Sequence, residues 1–310
     1  KMLVPAVVPV TTGYSSTNVP YVNAATMENK GIEVSISTKN LTGVFKWNTD
    51  FNISFNSNKI LSLNGTNPLY VDNYGLNANF GIDQTGHPAN EFYGYVTNGI
   101  FQTAKEVAQH AIQQSGTTSY NSTSPGDIRF VDMNSDGVID ATDRTYIGNP
   151  NPQFIYGMNN SFNYKGFDMS VFIQGVYGNK IFNANNVYQE SMSIAENQTA
   201  RTLDRWEGPG TSNYMPRAIY GDPNQNNRIS NRYIENGSYL RIKNITFGYT
   251  FPKQILQKIK FSSIRIYTSC QNVYTFTHYS GFDPEVGVNG VDYSVYPVTR
   301  TLSIGLNLNL

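Results

Sequence analysis

The chain has 310 residues, with 22 Lys and Arg balanced by 22 Asp and Glu, so its formal net charge is zero. Charged residues make up 14% of it and aromatics 13%, against about 25% charged in an ordinary soluble domain. This composition lacks the basic stripe that a nucleic-acid partner needs, and no run approaches the roughly 18 apolar residues of a membrane-spanning helix.

The opening Lys1-Met2-Leu3-Val4-Pro5 reads as the interior of a longer protein, not as a signal peptide. From Lys30 to Thr38, Ile32, Val34 and Ile36 alternate with Glu33, Ser35 and Ser37. From Phe45 to Asn56, Phe45, Trp47, Phe51, Ile53 and Phe55 alternate with Lys46, Asn48, Asp50, Asn52 and Ser54. A period of two predicts strands with one greasy and one wet face. Weaker strand patterns run from Leu76 to Gln84 and from Glu91 to Ile100. Thr103 to Gln114 reads as a short helix, with Thr103 as N-cap and Glu106 closing a capping box. Clean alternation returns at Phe154–Tyr164 and Phe167–Tyr177. Between Tyr239 and Phe251 the apolar phase slips from Leu240 and Ile242 to Ile245, Phe247 and Tyr249, which predicts a β-bulge near Lys243-Asn244. Ser263–Asn272 is a further strand. In the last one, Leu302, Ile304, Leu306, Leu308 and Leu310 face away from Ser303, Asn307 and Asn309.

These segments make about nine antiparallel strands. Short links at 39–43, 86–90, 165–166 and 252–260 alternate with long excursions at 58–76, 101–152, 179–236 and 275–298. Tight turns on one rim and long loops on the other are the signature of an outer-membrane β-barrel, with Tyr and Phe clusters at strand ends as aromatic girdles. The fold class predicted is all-β, a portion of a large transmembrane barrel. An odd strand count cannot close alone with both termini on one side, so the first and last strands should pair with strands outside this chain. The apolar residues of Phe45–Phe55 and Leu302–Leu308 should meet lipid, and Lys46, Asn48, Asp50, Asn52, Ser303, Asn307 and Asn309 the lumen.

One sequence carries recognisable metal chemistry. In Asp132-Met133-Asn134-Ser135-Asp136-Gly137-Val138-Ile139-Asp140-Ala141-Thr142-Asp143, oxygen-bearing side chains fall at alternate positions around a glycine, as in an EF-hand loop. The candidate ligands are Asp132, Asn134, Asp136, the Val138 carbonyl, Asp140 and Asp143. The ion would be Ca²⁺ or, with the shorter arm of Asp143 at position 12, Mg²⁺. The alternative is an Asx-rich turn without metal. His87, His110 and His278 share no ligand spacing, and Cys270 on a strand reads as a small apolar filler. Tyr93, Tyr95 and Trp206 are candidates for stacking on sugars or for loop packing. Arg201, Asp204, Arg205 and Glu207 read as a solvated charge cluster. No nucleophile elbow, phosphate loop or Cys/His cluster points to an enzyme.

Nearly the whole chain also resembles, in order, the C-terminal part of SusC/RagA-type TonB-dependent outer-membrane transporters. The resemblance rests on Asn29-Lys30-Gly31-Ile32-Glu33, Phe92-Tyr93-Gly94-Tyr95, Asn98-Gly99-Ile100-Phe101 and Pro125-Gly126-Asp127-Ile128. It continues with Ile147-Gly148-Asn149-Pro150, Tyr164-Lys165-Gly166-Phe167-Asp168, Asn236 to Asn244 and Ser280 to Glu285. It implies a Gram-negative outer-membrane barrel of 22 strands around an N-terminal plug, driven by the TonB complex and lidded by a SusD-like surface lipoprotein. The imported substrate would be an oligosaccharide or a peptide, and the plug and TonB-contacting segment would lie outside this chain. The competing reading is a soluble, calcium-stabilised glycan-binding β-domain.

Overall fold

The computed structural model describes residues 2–5, 20–63, 68–71, 76, 79–114, 122–256, 261–287 and 289–309. Eight strands make one antiparallel sheet in which every strand pairs with its neighbours in the chain. They are β1 (Met2–Pro5), β2 (Tyr21–Thr42), β3 (Phe45–Ser62) and β4 (Phe154–Tyr164). Then come β5 (Phe167–Tyr177), β6 (Tyr239–Thr250), β7 (Ser263–Thr277) and β8 (Thr301–Asn309). β4 and β5 are 11 residues each, about the length a tilted strand needs to cross a bilayer.

The register carries the alternation across the whole sheet. Trp47 faces Phe162, Phe51 faces Met158 and Ile53 faces Tyr156. Phe162 then meets Met169, and Met158 meets Ile173. Met169 meets Phe247, and Ile173 meets Ile242. Ile266 and Cys270 end the row against Leu306 and Leu302. The other face carries Asn48 against Ser161 and Asp50 against Asn159, then Asp168 against Gly248 and Ser269 against Ser303. The register shifts between Ile242 and Asn244 against β7 and beside Ile242 against β5. That bulge at Lys243 keeps Leu240 through Tyr249 on one face, as the phase slip predicts.

The apolar face is uncovered. Ile32 is 69% exposed, Leu302 73% and Ile304 82%. A sandwich would bury that face against a second sheet; here the dry core lies elsewhere. The fully buried aromatics Phe80, Phe92, Phe101, Phe130 and Phe182 all belong to the long connections. Those connections pack into a layer with short strands of its own. Leu69–Val71, Gly81–Asp83, Glu91–Gly94 and Thr145–Gly148 form one sheet; Thr97–Ile100 pairs with Ile128–Phe130. Lys180–Asn183 lies between Ile234–Asn236 and Val291–Asp292.

Two expectations change. The segments at 76–84 and 91–100 are not wall strands; Gly81–Asp83 is buried at all three positions and Phe92 is 1% exposed, so neither offers a lipid face. The link at 86–90 is correspondingly no rim turn. Gly86 N donates to Ile60 O and Ile60 N to His87 O, so it ties the end of β3 to the loop layer. The excursions predicted at 58–76 and 101–152 are therefore one, from Leu63 to Gln153. Among the described residues the wall has eight strands and not about nine, β1 preceding the segment at Lys30–Thr38, so the parity argument loses its premise. The sheet is nonetheless open among the described residues, with β1 and β8 at its edges. Leu310 and the link residues 257–260 lie outside the described residues.

Connection lengths still alternate strictly. Gly43-Val44, Lys165-Gly166 and the segment from Phe251 to Ser262 close one rim, and the long connections rise from the other. Lys165 and Gly166 have φ of 45° and 90°, the pair of positive angles that a two-residue hairpin turn requires.

Candidate functional site

The functional surface of such a wall is its polar face and the loop layer above it. On the polar face, Arg265 donates to both oxygens of Asp168, at 2.9 and 2.5 Å. Their strands are not neighbours; they meet across β6 at Gly248, where a side chain would stand 2.6 Å from Arg265 and 2.8 Å from Asp168. Nearer the long-loop rim, Arg241 is 1% exposed. It donates to Asp283 at 2.5 Å, Glu285 at 2.6 Å and Thr275 at 2.8 Å, with Lys243 Nζ 3.3 Å from Glu285. The cations of Leu240-Arg241-Ile242-Lys243 are thus engaged by the anions of Asp283-Pro284-Glu285, strapping the β7–β8 loop onto the wall.

The Pro125-Gly126-Asp127-Ile128 turn has an equally structural task. Asp127 is fully buried and takes both arms of Arg217, at 2.8 and 2.9 Å, plus Asn226 at 3.0 Å. Gly126, at φ +92°, would place any side chain 2.5 Å from the Trp206 ring. Asn224, Asn226 and Gln113 satisfy the backbone of Ile128 and Phe130 around it. Composition had pointed to none of these amides; only their density in Asn224-Gln225-Asn226-Asn227 marks them, and such density usually means an exposed turn. The helix predicted over Thr103–Gln114 is accordingly short, Ala104–Ala108, because Gln113 is drawn into this network. Thr103 caps it, and Glu106 accepts from Gln102 N, one residue before the cap.

The aromatic candidates pack within the loops. Trp206 Nε1 donates to Gln102 at 3.1 Å. Tyr93 lies under Arg144 and beside Tyr146, and Tyr95 against Phe130 and Arg228. The histidines remain apart. His87 stacks on Tyr146 with ring centroids 4.3 Å apart and pairs with Glu91 at 3.0 Å; His110 abuts Phe101. Burial raises the Glu91 carboxyl above its usual range, partly offset by His87. The charge cluster at 201–207 divides: Arg201 reaches the fully buried side chain of Glu190, which Arg232 also holds, while Arg205 and Glu207 pair on the surface.

In the EF-hand-like loop the oxygens face their own backbone. Asp132 accepts from Ser135 N and Gly137 N, Asn134 from Asp136 N, Asp136 from Val138 N and Asp140 from Thr142 N. Asp143 is buried and accepts from Met133 N and Asp140 N with its two oxygens, which makes it the brace of the loop. The bonds from Thr142 hold the Asp140 carboxyl below its usual range. Among the described residues no three His, Cys, Asp or Glu side chains converge as a metal site. The arrangement can close a turn; it holds an ion only if the oxygens of Asp132, Asp136 and Asp140 turn away from the backbone amides they accept from.

An uncovered two-faced wall bearing a packed loop layer on one rim is architecture that known proteins share. TonB-dependent receptor P3 of Formosa agariphila is 35% identical over 310 residues, 95% of this chain and 30% of that protein. TonB-dependent receptor SusC of Bacteroides thetaiotaomicron is 30% identical over 296 residues, 92% of this chain and 27% of that protein. Over nearly its whole length the chain is similar to part of the SusC-type TonB-dependent receptors. It spans about a third of the length of the curated relatives it matches. The structure of the RagAB peptide transporter superposes with a TM-score of 0.79 at 22% identity, covering 99% of this chain and 31% of that one, which extends the likeness to the fold. No family model matches. The eight-stranded sheet matches the barrel region of a TonB-dependent transporter, and the relatives are named as receptors and transporters.

Proposed function

We propose that this chain is the C-terminal part of the barrel wall, with its loops, of a TonB-dependent importer that brings oligosaccharides or peptides across the outer membrane. The observation that carries the reading is the uncovered apolar face, continuous from Ile32 to Leu306 through the register. Water cannot be excluded from such a face except by lipid or another protein layer, and the wet opposite face suits a lumen. The rest of the barrel and the plug would come from segments outside this chain, with the TonB complex acting through them. A SusD-like lipoprotein would lid the loop layer, which would lie at the cell surface.

Deleting the gene should abolish uptake of labelled oligosaccharide or peptide, and deleting tonB should do the same. A cysteine at exposed Ser135 should react with a membrane-impermeant maleimide in intact cells. Normal uptake in both deletion strains, or a full-length protein recovered without detergent, would favour the soluble binding module. We further propose that the Asp132–Asp143 loop binds Ca²⁺ through Asp132, Asn134, Asp136, Asp140 and the Val138 carbonyl, and calorimetric titration of the EGTA-treated receptor tests it.

A further inference from the structure

A cavity of about 610 Å³ opens in the loop layer between the 222–229 turn, the 187–194 segment and Tyr95. Val187 and Ile229 give it a buried apolar side, Ile194 stands 47% exposed at its mouth, and Arg144 and Arg228 supply its cations. Elsewhere in the described residues the interior arginines are matched: Arg217, Arg232, Arg241 and Arg265 each hold a carboxylate within 3 Å. Arg144 and Arg228 are not. Arg144 donates to the carbonyls of Asn79 and Tyr93 and lies 4.9 Å over the Tyr93 ring. Arg228 donates to Gln113 O at 3.2 Å and lies 4.9 Å over Phe130. Neither forms an ion pair among the described residues. Asp222 also lines the cavity, but its two oxygens accept from Asn226 N and Asn227 N, at 2.7 and 3.0 Å. Burial depresses the Arg228 guanidinium below its usual range, offset only in part by Tyr95, Asp222 and Asp143, none of which pairs with it directly.

Carbonyls and ring faces solvate a guanidinium only in part; a carboxylate matches its planar fork with two charge-assisted bonds. We infer that this cavity binds the carboxylate end of an imported ligand, Arg144 and Arg228 receiving the charge and the Val187–Ile229 side the apolar body beside it. The inference rests on the import reading and narrows its substrate to acidic molecules. A peptide C-terminus and a uronic acid present the same group, so the test separates them.

The test uses the full-length receptor in detergent and isothermal calorimetry with four probes: an N-acetylated apolar tripeptide, its C-terminal amide, digalacturonate and its dimethyl ester. One acid should bind, with its neutral partner weaker by about tenfold or more, and the acid that binds identifies the source. Arg144→Gln and Arg228→Gln should each cost that acid about tenfold. Arg228 also packs on Phe130, so Ile194→Trp separates binding from folding: it should close the mouth and abolish binding at an unchanged melting temperature. Arg129→Gln, an exposed side chain bonded to Asn98 O, should leave affinity as it was. The inference falls if neither acid binds, if neutral and acidic probes bind alike, or if Ile194→Trp binds normally. Failure here with uptake still lost in the deletion strain overturns this inference alone. Normal uptake in that strain overturns the import reading instead.

Discussion

Replacing Ile304 by Arg, with Ser303→Arg as its neighbour control, is the sharpest probe of the wall. Ile304 stands near the middle of the nine-residue β8, opposite Thr268, on the face shared with Leu302 and Leu306. Ser303 points the other way, opposite Ser269. If the apolar face meets hydrocarbon, the arginine at 304 must be desolvated or snorkel about half a bilayer, at roughly 2–4 kcal/mol near the midplane. At 1.4 kcal/mol per decade, that is on the order of thirtyfold to a thousandfold in the unfolding equilibrium. The same side chain at 303 enters a wet lumen and should cost within about 0.5 kcal/mol. Urea titration of the full-length receptor in lipid vesicles, followed by tryptophan fluorescence, reads both. Equal costs at the two positions, or a larger one at 303, would refute the assignment of faces, and spin labels at both sites would show which register is correct.

Arg241→Met leaves Asp283 and Glu285 without their buried cation and should destabilise the β7–β8 loop by about 3–5 kcal/mol. Hydrogen exchange should accelerate across 278–300 and not across β4 and β5. Gly166→Ala puts a side chain at φ +90° and 2.8 Å from Thr250 O, so it should cost roughly 1–2 kcal/mol by the same urea titration. Asp132→Ala removes the acceptor for two loop amides and should loosen 132–143 to proteolysis while leaving the melting temperature of the barrel in place. Burial raises the Asp222 pKa above its usual range, so the folded state holds that proton more tightly than the unfolded chain does. The stability it contributes is full below the unfolded carboxylate value near 3.8 and is lost as pH rises through the raised one. Melting of the loop layer should therefore shift downward on going from mild acid to neutral pH, and Asp222→Asn should flatten that shift.

The parts legible in the sequence are those governed by one local rule. A strand that divides lipid from water must alternate at every residue, so Phe45–Asn56, Phe154–Tyr164, Phe167–Tyr177 and the strand from Leu302 to Leu308 declare themselves, and even the bulge at Lys243 shows as a slipped phase. Segments such as Gly81–Asp83 and Glu91–Gly94 are covered on both sides by other loops and obey no such rule. Their strand-like composition was readable, their place in the molecule was not. The same distinction explains the charged motifs. Arg241 and Asp283 stand 42 residues apart, and Asp127 and Arg217 stand 90 apart, distances over which sequence gives no hint of pairing. Once they are paired, their role changes from candidate ligand contacts to anchors that hold long loops still. On the import reading, these loops present a shaped surface that the membrane does not support, and buried ion pairs fix geometry more surely than they add stability. Arg144 and Arg228 stand out for the converse reason: where the other interior arginines each hold a carboxylate, they are the cations left for a ligand to meet.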